Sequence, residues 1–120
     1  MGHPPIYPTG VTVYNPEKCW NGFTIFQALE VGAVLMNMNG RENKVWKGVH
    51  GFPNKIFPGG YLMTSRGSRD GRYGVQDGLD LVQIDWDGNV VWKFDRNEYI
   101  EDPGIPGRWM ARSHHDYQRE

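Results

Sequence analysis

Three alanines, one cysteine and no surplus of either charge are what this 120-residue sequence has least of. Cys19 stands alone, so no intrachain disulfide can form and the redox compartment is left open. The 13 Lys and Arg against 14 Asp and Glu remove the cationic excess that nonspecific nucleic-acid binding needs. No apolar run approaches the ~18 residues of a membrane helix. The opening MGHPPIYPTG lacks the basic and then apolar layout of a secretory signal, which makes a cytoplasmic location the expectation. Scarce alanine argues against helix. The abundance of 16 Gly, 8 Pro, 5 Trp, 6 Tyr and 5 Phe favours short strands joined by tight turns, hence an all-β chain. Its length supports one domain with a real core and not two.

Along the chain, residues 1–32 read as a proline-rich arm followed by the first strands. GVTVYNP is expected to form a short strand ended by Asn15-Pro16. GFTIFQALEVGAVLMNMNG reads as two strands with a break near residues 30–32. Residues 33–120 carry a repeat. AVLMNMNGRENKVWKG and DLVQIDWDGNVVWKF each combine an apolar alternating strand, a turn at Asn39-Gly40 or Asp87-Gly88, and a second strand ending Val-Trp-Lys. Asn-Gly and Asp-Gly are hairpin turn pairs because both residues tolerate positive φ. The first copy has two more residues between turn and tryptophan, which a longer or bulged hairpin would absorb.

Gly40 and Gly88 lie 48 residues apart, and Trp46 and Trp92 lie 46 apart, a period in the range of four-stranded propeller blades. The expected fold is a partial β-propeller of about two four-stranded blades plus the first strand of a third. In this reading the inner strand lies near His50, the next at YLMTS, and an outer hairpin follows over 79–94. Trp46 and Trp92 would pack between neighbouring blades. His50 and the pair His114-His115 both fall where a blade opens, so His50 and one of the pair would line the central channel. Adjacent strand residues point to opposite faces, so only one of the pair faces it.

His114, His115 and Asp116, with Arg112 nearby, are thus candidates for a catalytic or binding cluster; the alternative is a surface turn with Asp116 capping a backbone amide. His50 joins them, or is a half-buried histidine bonded to a carbonyl. Arg66, Arg69 and Arg72 lie in a Gly-rich loop that reaches an anionic substrate group or stays solvated. Asp77, Asp80, Asp85 and Asp87 lack calcium-loop spacing and read as turn and edge residues. No cofactor is demanded. A metal held by His50, one of the paired histidines and Asp116 is the alternative, and it would point to a hydrolase, lyase or hydratase.

SHHDYQRE, the Asp-Gly-Asn-Val-Val-Trp hairpin and the Pro-Gly-Gly-Tyr-Leu-Met turn together resemble the bacterial arylsulfotransferase propeller family, over roughly residues 33–120. The resemblance implies a six-bladed propeller that moves a sulfuryl group between phenols through a covalent sulfohistidine. It implies His114, His115 and Asp116 as catalytic residues; the repeat adds His50 to them, and Arg112 with the loop residues Arg66 and Arg69 are the candidates for binding substrate. Such chemistry needs a neutral imidazole nucleophile, acid or base groups for the phenolic oxygens and a cation for the sulfuryl oxygens. Two blades cannot close a ring, so the remaining blades are expected from a second polypeptide, a longer precursor or further copies. From another class, the chain is a non-catalytic binding or assembly segment.

Overall fold

The computed structural model describes residues 10–68, 78–111, 113 and 115–119. Among them the chain is all β, with no helix and three antiparallel sheets. The first sheet contains β1 (Phe23–Ala28), β2 (Gly32–Asn37) and β3 (Glu42–Lys47), in that order. The second contains β4 (Lys55–Phe57), β5 (Tyr61–Thr64), β6 (Val82–Ile84) and β7 (Val90–Lys93), also in sequence order. β8 (Glu98–Asp102) and β9 (Ile105–Met110) form a two-stranded hairpin. The break expected near residues 30–32 is a tight turn, closed by the Val31 amide donating to the Ala28 carbonyl at 3.1 Å.

The two repeat hairpins share one turn design. The Asn37 amide bonds to the Arg41 carbonyl at 3.0 Å, and the Asp85 amide to the Asn89 carbonyl at 2.9 Å. The Asn37 side-chain oxygen accepts from the amides of Asn39 and Arg41, and the Asp85 carboxylate accepts from those of Asp87 and Asn89. Gly40 and Gly88 take φ of 75° and 90°, a region that costs an L side chain about 1 kcal/mol or more. Both hairpins also step in register at the same place, between Leu35 and Met36 and between Gln83 and Ile84.

This identity corrects the expected alignment of the tryptophans. Leu35 faces Lys44 and Gln83 faces Trp92, so the 48-residue spacing of the turns continues unchanged into the second strands. No extra length is absorbed by the first hairpin. Trp46 lies two residues further along its strand, opposite Ala33. Its positional counterpart is Phe94, whose amide bonds to the Leu81 carbonyl at 2.9 Å.

The main core lies between the first two sheets. Ala33, Leu35 and Trp46 meet Leu62, Val82 and Ile84, with Ile25 and Val49 packed against them. Alternation explains the choice: Leu62, Ile84 and Val82 share one face of the second sheet, and Met63 and Gln83 take the other. The Trp46 indole N–H donates across the gap to the Asp85 carbonyl at 3.1 Å, and its ring meets Trp86 edge-on at 5.4 Å. Each large side chain buried here contributes roughly 1.5–3 kcal/mol.

Two expected strands differ. Residues 11–16 form no strand, because they have no strand beside them to pair with; the Lys18 amide closes a turn on Asn15 instead. The inner strand expected near His50 begins at Lys55, after a loop, and the first sheet has three strands where four were expected.

Candidate functional site

Lys55, Met63, Gln83 and Trp92 form one row across β4, β5, β6 and β7, each opposite the next. The row lies on the face of the second sheet turned away from the main core. Residues 116–119 cross that face beside it. The Lys55 ammonium meets the Asp116 carboxylate at 2.7 Å and donates to the Tyr117 carbonyl at 2.6 Å. The Tyr117 hydroxyl is within reach of the Pro53 carbonyl and of the Met63 carbonyl at 3.1 Å. Arg119 donates to the Gln83 side-chain oxygen at 2.7 Å and lays its guanidinium 4.5 Å from the Trp92 ring centroid.

The chain reaches this face by a short ladder. Gly78 bridges Ser68 on one side and Ser113 on the other, and the Ala111 amide bonds to the Leu79 carbonyl at 3.0 Å. From there residues 115–117 lie beside residues 52–55. The exposed His115, at φ 65°, meets the Phe52 ring edge-on at 5.2 Å. His50, two residues before Phe52, is half-buried and donates its amide to the Ser65 carbonyl at 2.7 Å. The loop of His50 and the segment of His115 and Asp116 are therefore neighbours, joined through Phe52, Pro53 and Lys55.

Charge follows from these contacts. The hydrogen bond from Lys55, and then that from the Tyr117 amide, hold the Asp116 carboxyl below the usual carboxylate range. Burial, with the Asp116 charge second, pushes the Tyr117 phenol above its ordinary value, so it stays a neutral donor.

Arg66 is arranged differently. Its side chain pairs with Asp80 at 2.8 Å, and its amide bonds to the same carboxylate at 2.7 Å. It lines an open cleft of about 460 Å³ with Lys44, Trp46, Lys47, Ile84 and Asp87. The expectation of Asp80 as a turn and edge residue is thereby refined: it anchors Arg66. Arg69, Arg72, Asp77, Arg112 and His114 lie outside the described residues. Among the described residues no three His, Cys, Asp or Glu side chains gather as a metal shell. No described helix is long and apolar enough to cross a membrane.

Sequence reasoning missed Phe52, Lys55 and Tyr117. Tyr117 carried no usable signal, because strand alternation cannot be applied across His115, whose φ of 65° breaks the extended backbone. Lys55 gave none, because an isolated lysine beside a strand is ordinarily solvated. No protein-family model matches this chain, and no curated protein or solved structure matches it significantly.

Proposed function

We propose that this chain forms part of an arylsulfotransferase-like β-propeller enzyme, with its first two sheets as adjacent blades and a small phenol as substrate. The observation that carries the reading is where residues 116–119 lie. The first sheet covers the second through the face of Ile25, Leu35 and Trp46. The equivalent face of the second sheet, with Met63, Gln83 and Trp92, holds residues 116–119. On this reading residues 116–119, which follow the paired histidines, stand where a third blade would begin. A longer precursor, a second polypeptide or further copies supply the remaining blades.

In the proposed reaction an imidazole nitrogen of His115, His114 or His50 attacks the sulfur of an aryl sulfate. The N–S bond forms as the S–O bond breaks, and the departing phenolate takes a proton from a second histidine acting as acid. An acceptor phenol, deprotonated by that same residue, then attacks the sulfur and frees the imidazole. Arg112 and Arg69 steady the sulfuryl oxygens. Arg66 serves this role only if it leaves Asp80.

One observation favours a second reading, an assembly segment without catalysis. Asp116, Tyr117 and Arg119 all direct their polar groups into holding the segment on the sheet. The test is release of para-nitrophenolate from para-nitrophenyl sulfate, with phenol as acceptor, by the assembled protein and by His50→Ala, His114→Ala and His115→Ala. Loss of turnover in at least one folded variant is expected. Turnover unchanged in all three would leave only the assembly reading.

A further inference from the structure

We propose that Gln27 is the residue that positions His50, its single amide group holding the peptide on both sides of that histidine. The role rests on the catalytic reading of His50 given above. The Gln27 Nε2 donates to the Val49 carbonyl at 3.0 Å, and its Oε1 accepts from the Gly51 amide at 3.1 Å. Between them, the His50 amide donates to the Ser65 carbonyl at 2.7 Å. Gln27 belongs to β1 in the first sheet, and Ser65 follows β5 in the second. The histidine's backbone is therefore anchored from both sheets at once.

The orientation of the Gln27 amide follows from its partners. Its oxygen accepts a second bond, from Asn54 Nδ2 at 2.9 Å, and its nitrogen also reaches the Ala28 carbonyl at 3.3 Å. Two acceptances and two donations fill the group. Turned over, it would set N–H against the N–H of both Gly51 and Asn54. Asn54 is itself only 7% exposed and packs close to the Gly51 α-carbon. A Cβ at position 51 would collide with the Asn54 side-chain oxygen and lie 2.8 Å from Thr64 Oγ1. Glycine after His50 is what lets Asn54 reach Gln27.

A nucleophile or acid-base group gains rate when its frame is fixed before substrate arrives. Gln27 acts through that frame and does not touch the reacting atoms. It is a positioning residue.

The test is site-resolved amide hydrogen exchange on the full chain carrying Gln27→Met or Gln27→Glu, beside the sulfuryl-transfer kinetics of the assembled protein. In Gln27→Met the Gly51 and His50 amides should exchange about tenfold faster, the effect of losing one or two hydrogen bonds. In Gln27→Glu a carboxylate still accepts from Gly51, whose amide keeps its protection, while the donor to Val49 is gone and the His50 amide still speeds up. The amides of Met63 and Val82 keep their native rates in both. The kcat falls by about tenfold with KM unchanged in both, as expected when orientation alone is lost. Unchanged Gly51 exchange in Gln27→Met would overturn the proposal, as would acceleration spread evenly over both sheets. If the exchange pattern appears as stated while His50→Ala transfers sulfuryl at the native rate, the anchoring stands and the catalytic reading of His50 fails.

Discussion

Replacing each of the two repeat tryptophans by phenylalanine separates positional equivalence from sequence likeness. Trp46→Phe removes the indole N–H that bonds to the Asp85 carbonyl. That carbonyl keeps the Gly88 amide as a partner, which limits the loss to about 1 kcal/mol. The weakened edge contact with Trp86 costs roughly another 0.5–1 kcal/mol. The space left by the missing ring adds about 1 kcal/mol, because Trp46 is only 3% exposed and its neighbours collapse incompletely. The sum is about 2.5–3 kcal/mol. Trp92 is half-buried and covered by the Arg119 guanidinium, so Trp92→Phe should cost under about 1 kcal/mol. The assay is urea unfolding followed by circular dichroism, with the slope against denaturant unchanged so that the midpoints report stability. Equal costs, or a larger cost at Trp92, would refute the register argument.

Tyr117→Phe takes away the one hydroxyl shared between the Pro53 and Met63 carbonyls, and should cost roughly 1–2 kcal/mol, read as a lower urea midpoint. Lys55→Met should raise the Asp116 carboxyl toward the ordinary range in a carboxylate titration followed by NMR, stopping short of it because the Tyr117 amide still donates to it. Because the folded-state value of Asp116 is depressed, its contribution is present above the unfolded value and is lost as pH falls through the folded one. Asp85 serves as the control: its carboxyl is also held low, chiefly by the Asn89 side chain, and should not move in Lys55→Met.

The parts of the fold readable from sequence are those decided locally. Asn39-Gly40 and Asp87-Gly88 marked their turns, although only Gly40 and Gly88 take the positive φ, and the side chains that accept from the following amides are those of Asn37 and Asp85. The break near residues 30–32 was equally local. What depended on a distant partner was not readable. Residues 11–16 have the β-branched content of a strand, yet strand formation requires a neighbour. The likeness of the two Val-Trp-Lys endings concealed a shift of two residues that only the pairing of Ala33 with Trp46 reveals. The β8–β9 hairpin, turning at Pro103 and Gly104, lies between the second repeat hairpin and the paired histidines, where the repeat indicated no strand. At the site, histidines drew attention as titratable groups. Gln27 and Asn54 did not, since a buried amide carries no sequence mark beyond a polar letter in an apolar run.

The central claim is that these sheets are neighbouring blades of a larger ring, with a third blade on the face of Met63, Gln83 and Trp92. Intact mass measurement of the native particle, followed by its denatured chains, tests it most directly. The account predicts a particle that carries further copies of the ~48-residue repeat, whether in a longer precursor of this chain, in a second polypeptide or in copies of this chain. A particle with the mass of one 120-residue chain, stable at working concentration, would contradict it.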